Sequence, residues 1–279
     1  MLLIIFARLN GGLTMNIREL RNMFPALSRT VYGKQLVYFD NAATAQRSQS
    51  VIDKWTQLTI GANANIHRAV HKLAVDATDE YESTRDAVKE YINAAAREEI
   101  VFTSGTTGSI NLVAFSFGET FVNKGDEIIV SESEHHSNIV PWQMLCQRKG
   151  AVLRVLHVDE DGHLNLEELK SLLNPKTRIV AVTQISNVLG ILNPVKEIVS
   201  ICHSTGCPVL IDGAQGMVHE GVDVQDVDCD FYAFSGHKIY AATGTGVLYV
   251  KQDLAEQLPP FMGGGEMIAT VSFDGTSYA

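Results

Sequence analysis

The sequence predicts an α/β protein: a mostly parallel sheet with helices over both faces. Three observations carry that reading. Short apolar runs such as Glu127-Ile-Ile-Val-Ser131 alternate along the chain with stretches of helical spacing. Several runs are apolar at successive positions, as strands covered on both sides must be. The 279 residues, 46% hydrophobic and 19% charged, also hold enough apolar material for a large core.

The elements follow in chain order. Asp76 to Ala95 has helical spacing, with Val75, Tyr81, Val88, Tyr91 and Ile92 marking an apolar face. Glu99 to Phe102 reads as a short strand, Ser104-Gly-Thr-Thr-Gly108 as a turn, and Thr107 to Phe121 as a helix. A strand over Glu127–Ser131, a helix over Asn138–Lys149 and a strand over Val152–His157 come next. Asn165 and Glu168 are spaced as a helix cap, and the helix they open stops near Asn174-Pro175, which proline cannot continue. Arg178–Thr183 is a strand, Val195–Thr205 a helix and Pro208–Asp212 a strand, with Phe231–Phe234 and Gly246–Val250 completing the set.

Composition narrows the function. Lys and Arg number 22 against 32 Asp and Glu, a net charge of -10 that argues against a nucleic-acid partner. No apolar run approaches the roughly 20 residues that span a bilayer, so no membrane role is expected. Cys146, Cys202, Cys207 and Cys229 are too few and scattered for a disulfide framework and complete no zinc site. They read as reduced, mostly buried thiols, which suits a cytoplasmic protein. Met1–Ala7 reads MLLIIFA with Arg8 after it, the reverse of a secretory signal, and Met15 opens a more ordinary stretch. Residues 1–14 are expected to be a disordered or artefactual extension. The ending after Gly263-Gly264-Gly265 looks abrupt.

Candidate chemistry lies at strand ends, where ligands bind in such sheets. Asp212, Ser131 and Ser235 are expected to converge on one crevice. Thr106 and Thr107 sit in a Gly/Thr-rich turn opening a helix, which offers N–H groups to an anion, although taken alone the turn reads as an ordinary N-cap. Asp212 is either a strand-end turn residue or the partner of a protonated ring nitrogen; no neighbouring ligand favours a metal. Lys238 follows a strand, Ser235 and His237, and a desolvated amine there can condense with an aldehyde while its neighbours hold a phosphate. Of His135 and His136, one reads as a ring stacked on a flat cofactor and the other as a loop residue.

Taken in order, YFDNAAT (38–44), NIHR (65–68), TSGTTGSIN (103–111), SESEHHSNIVPW (131–142), SNVLG (186–190), DGAQG (212–216) and FYAFSGHK (231–238) resemble the cysteine desulfurases. The branch is that of SufS and CsdA, within the class V aminotransferase group. The resemblance covers about residues 16–279. It implies the type I fold of pyridoxal-phosphate-dependent transferases, with residues 15–36 an N-terminal segment, residues 37–279 the large cofactor domain and the C-terminal small domain missing. It implies pyridoxal 5'-phosphate as cofactor, with Lys238 condensing with its aldehyde and moving protons, Asp212 on the pyridine nitrogen and Gln215 on the phenolate oxygen. His135 would stack on the ring, and Thr106, Thr107, Ser235 and His237 would hold the phosphate. Asn187 and His67 would bind substrate, Asn187 on its carboxylate side, and His67 with Arg68 matches a segment that approaches the active site near a dimer interface. L-Cysteine, a homodimer and a small sulfur-acceptor protein are the implied partners.

Two departures qualify this expectation. Family members carry a nucleophilic cysteine and carboxylate-binding arginines in their last third, and no matching positions occur here. Cys229, between Asp228 and Asp230, is a poor substitute. Sulfur transfer is therefore expected to be impaired if these residues are the whole product. A non-catalytic module, or another activity such as selenocysteine lyase, is the alternative. The second departure is Tyr240-Ala241-Ala242-Thr243-Gly244, where the family usually has a Gly-Pro pair.

Overall fold

The computed structural model describes residues 16–68, 70–265 and 267–278. The proposed extension at 1–14 lies outside the described residues.

Seven strands form the central sheet: β1 (Ile100–Thr103), β2 (Glu127–Ser131), β3 (Val152–Leu156), β4 (Thr177–Thr183), β5 (Val209–Asp212), β6 (Phe231–Ser235) and β7 (Gly246–Val250). Their spatial order is β1-β7-β6-β5-β4-β2-β3. Every pairing is parallel except those of β7, which runs antiparallel between β1 and β6. The sheet is thus mostly parallel, as predicted, with one reversed strand that an apolar run cannot reveal.

Period-two alternation splits the strands between two cores. Val180, Val182, Val209, Ile211, Tyr232 and Phe234 bury on one face. Ile179, Ala181, Leu210, Phe231, Ala233 and Leu248 bury on the other. Five of the helices matter most: α1 (Gln49–Gly61), α2 (Lys72–Tyr91), α3 (Thr106–Phe121), α4 (Val140–Lys149) and α5 (Val195–His203). In α5, Val195, Ile198, Val199 and Cys202 repeat at helical spacing and pack on the first face. On the second face α3 buries Ile110, Val113, Ala114 and Phe117, against the Trp142 and Leu145 of α4.

Several local expectations shift. Helix α2 starts at Lys72, where the His71 ring accepts the Ala74 N–H, and Val75 faces outward while Ala74 is buried. Only Val88, Tyr91 and Ile92 near its end join the core. Asn165 does cap its helix, accepting the Glu168 N–H at 3.1 Å. The Glu168 carboxylate does not return to the cap; it accepts from the backbone and ring of His157 instead.

At the carboxyl edge, Gly246 pairs with Thr103 on one side and Ser235 on the other. The turn at Gly105 folds directly over it: a Cβ on Gly246 would lie 2.4 Å from the Gly105 Cα. Gly105 itself holds φ at 136°, a value open to glycine. The two glycines let the β1–α3 turn close over the sheet edge. Gly246→Ala is expected to lower stability by about 2 kcal/mol through overpacking, read as a lower denaturation midpoint with an unchanged urea m-value.

Candidate active site

Asp212 is the last residue of β5, in register with Thr183 of β4 and Ala233 of β6. Its side chain is buried, and Oδ1 accepts the Ala214 N–H at 2.9 Å. Burial pushes its carboxyl above the usual range, against the opposing pull of Lys238 and His135. Lys238 ends a single 3-10 turn, Gly236–Lys238, directly after β6. Burial lowers its ammonium affinity for the proton, while Asp212 works the other way. The two side chains line one cavity of about 490 Å³, and no ion pair within 4 Å joins them. An amine and a carboxylate therefore face the same space without neutralising each other.

The other predicted residues gather around this pair. Thr106, Thr107, His135, Asn187, Gln215, Ser235 and His237 all line the cavity. Ser235 Oγ accepts the Thr106 N–H at 2.8 Å and lies 2.7 Å from Thr106 Oγ1, tying β6 to the first turn of α3. That turn presents N–H groups without intrahelical partners beside three hydroxyls, a setting for an anion. The recess continues over Ser104, Gly105, Thr243 and Gly244. His135 caps a 3-10 turn, its Nδ1 accepting the Ser137 N–H at 3.2 Å, and burial favours its neutral form. His136 is not among the cavity-lining residues.

One expectation is corrected. Ser131 does not enter the crevice: it is buried beneath it and donates to Glu134. Glu134 is itself buried, accepting from Thr183 N at 2.8 Å and Asn138 Nδ2 at 2.6 Å, and Asn138 Oδ1 in turn accepts the Trp142 indole N–H. Desolvation raises the Glu134 carboxyl to about 8. His67 is not among the cavity-lining residues; its ring lies 3.4 Å from Glu82 and stands edge-on to Tyr81.

The sequence reading also missed part of the wall. Asp40, Ala42 and Ala43 from the YFDNAAT segment line the cavity, as do Ser137, Thr183 and Ile185. The Ala42 carbonyl accepts the Gln215 side-chain amide at 2.7 Å. The motif was visible as a string, but its contact with Gln215 spans 173 residues and leaves no local signal.

The profile of the family described as Aminotransferase class-V matches residues 37–279. The chain belongs to the class-V aminotransferases. This class-V chain is 52% identical over 264 residues to a cysteine desulfurase of Enterobacter sp. (strain 638), covering 94% of this chain and 65% of that protein. It is 51% identical over 267 residues to a cysteine desulfurase of Shigella sonnei (strain Ss046), covering 95% of this chain and 66% of that one. Among solved structures it is similar to the cysteine desulfurase CsdA (S-sulfonic acid) from Escherichia coli, with a TM-score of 0.85 at 41% identity. That match covers 96% of this chain and 66% of the other. It is also similar to the apo cysteine desulfurase from Thermococcus onnurineus NA1, with a TM-score of 0.88 at 34% identity over 96% of this chain and 65% of that one. The chain thus spans 65–66% of the length of these relatives.

Among the described residues, no group of three or more His, Cys, Asp or Glu is placed to hold a metal ion. No described helix is long and apolar enough to cross a membrane.

The raised Asp212 carboxyl has a consequence for stability. The folded state holds this proton more tightly than the unfolded one, so ionisation costs stability once the pH passes the ordinary carboxylate value of about 4. The cost grows until the raised folded value is passed and then stays constant. Asp212→Asn removes it while keeping the Ala214 contact. The apoprotein variant is expected to melt above the parent at neutral pH, with the difference vanishing as the pH falls below the ordinary carboxylate range.

Proposed function

We propose that this chain is the pyridoxal 5'-phosphate-binding part of a cysteine desulfurase, which takes sulfur from L-cysteine, leaves L-alanine and passes the sulfur to a small acceptor protein. The observation that carries the reading is the unpaired facing of Lys238 and Asp212 across one cavity. A flat cationic heterocycle bearing an aldehyde and a phosphate would find Asp212, Lys238 and the hydroxyl-lined turn at Thr106 and Thr107 in that one lining. Residues 37–279 are then the cofactor-binding domain.

Bound in this cavity, the cofactor supplies an electron sink for chemistry at the Cα of an amino acid. The chain's own residues do the rest. Lys238, with an amine favoured in its neutral form by burial, would hold the cofactor at its aldehyde and move the proton at the substrate Cα. Asp212 keeps a proton on the pyridine nitrogen. Gln215 uses one amide N–H on Ala42 and has a second for the phenolate oxygen. His135 would cover the ring face, Asn187 would face the substrate carboxylate, and Thr106, Thr107, Ser235 and His237 would hold the phosphate.

The sulfur nucleophile has to come from elsewhere than the four cysteines present. All four are buried. Burial pushes the Cys202 thiol up to about 12 and raises Cys146, Cys207 and Cys229 as well. Attack on a substrate sulfur needs an accessible thiolate. This observation favours, as a second reading, a module that binds the cofactor without completing sulfur transfer.

The assembly is taken to be a homodimer. The resemblance to the cysteine desulfurases is what supports that; Tyr32, Phe39 and Phe273 are almost fully exposed. Four free thiols support a reducing, cytoplasmic setting, and iron–sulfur cluster assembly is the natural outlet for the sulfur. His67, outside the cavity, has a substrate role only if that assembly brings it to one.

Incubation with pyridoxal phosphate followed by borohydride reduction is expected to fix the cofactor on the peptide containing Lys238. Lys238→Ala is expected to lose both the covalent adduct and the visible absorbance. An unlabelled parent protein under the same conditions would end the cofactor reading. Sulfide and alanine release from cysteine, assayed in parallel, separates the desulfurase from the module: release without an added thiol protein would exclude the second reading.

A further inference from the structure

Asp212 and Gln215 enter the cavity from one short turn, Asp212–Gly216. Backbone bonds pin its start on both sides. The Asp212 carbonyl accepts the Gln184 N–H at 3.0 Å, and the Gly213 N–H donates to the Ala233 carbonyl at 2.8 Å. The two glycines of the turn rest on side chains outside the cavity lining. A Cβ on Gly213 would lie 2.0 Å from Cζ of Tyr232, and one on Gly216 would lie 2.1 Å from Oε1 of Gln184. Neither glycine holds a positive φ, so close approach is what requires them.

The two side chains beneath the turn are bonded to each other. Tyr232 and Gln184 are both buried, and the Tyr232 hydroxyl donates to Gln184 Oε1. The other end of the amide settles its orientation: Nε2 donates at 3.1 Å to the Gly221 carbonyl, a group that can only accept. Swinging either side chain away would leave a buried polar atom without a partner, which costs more than the bond itself contributes. The pair is therefore a fixed seat, with Tyr232 of β6 under Gly213 and Gln184, just past β4, under Gly216.

We propose that Gln184 and Tyr232 are positioning residues: their hydrogen-bonded pair sets the height of the Asp212–Gly216 turn, and so the placement of Asp212 and Gln215 against a ring bound in the cavity. The identity of that ring as pyridoxal phosphate rests on the cofactor reading above; the seat does not.

The test uses Tyr232→Phe, which keeps the ring and drops the hydroxyl, and Gln184→Met, which keeps the length and drops both amide bonds. Amide hydrogen exchange in the apoproteins is expected to quicken about tenfold at Ala214 and Met217. Their N–H groups bond within the turn, to Asp212 Oδ1 and the Gly213 carbonyl. Val180, in the middle of β4, is expected to keep the parent's rate. A pair that only stabilised the core would raise all three together. Dissociation constants then report the positioning, for pyridoxal phosphate and for its deaza analogue with C–H in place of the ring nitrogen. The parent is expected to prefer pyridoxal phosphate. Each variant is expected to lose about tenfold of that preference, the scale of one hydrogen bond to a charged group, and to bind the deaza analogue as the parent does. A parent-like preference in either folded variant overturns the proposal. A parent that binds no pyridoxal phosphate, or binds both compounds equally, removes the cofactor reading and leaves the seat to the exchange rates. Faster exchange confined to Ala214 and Met217 then upholds the seat, and parent-like or uniformly faster exchange overturns it.

Discussion

The structure turns on a charge arrangement left incomplete. Asp212 and Lys238 stand at the carboxyl ends of adjacent parallel strands, both desolvated, and are not joined in an ion pair. Burial pushes each toward its neutral form, the carboxyl by gaining a proton and the amine by losing one. A direct salt bridge would relieve both and close the cavity. The β5–β6 register sets Asp212 opposite Ala233 and Lys238 lies past the end of β6, so the two groups enter one cavity from neighbouring strands. The strain is available to a ligand that offers a cation to one side and an electrophile to the other. Sites store such cost and recover it on binding.

Around this pair the walls come from distant parts of the chain. The 40–45 segment reaches Gln215 and His237, the α3 turn reaches Ser235, and Arg47 reaches Thr243 while its guanidinium lies over Trp55. Most of these contacts join residues more than a hundred positions apart. Each closes a long loop, whose entropy cost grows only slowly with length. The sheet can therefore form first from its own apolar strands, and the polar rim can be added at small further expense. The Glu134 network plays the complementary part below the floor, joining β2, β4 and the His135 turn through a single buried carboxyl.

Legibility followed burial. Strands β2, β4, β5 and β6 were readable because both faces are covered and the residue types say so. Helix α1 went unpredicted although Val51, Ile52, Trp55 and Leu58 recur at helical spacing, and none of its residues is buried. The direction of β7 was illegible because alternation is the same read either way. At the site, Asp212, Ser235 and Lys238 were found from strand ends, a rule of the fold. Ser131 obeyed the same rule and was misplaced, since the fate of its hydroxyl depends on Glu134 three residues on. Thr44 was seen in its motif, but a bond to a ring 193 positions later has no sequence signature.

On the proposed reading, the buried cysteines place cofactor binding and sulfur chemistry in different parts of the molecule. Cys202, Cys207 and Cys229 pack in one apolar layer with Val199, Val209 and Tyr232, and Cys146 packs in the other. There they act as small hydrophobes, and the desolvation that makes them good core residues raises their thiols out of the reactive range. A thiolate that attacks substrate sulfur must instead be hydrated until it moves in, and must carry its charge into the cavity from the open side. A sheet buried on both faces cannot supply such a group from its interior. The rigid layer that positions Asp212 against Lys238 is, for the same reason, the wrong place to keep a nucleophilic sulfur.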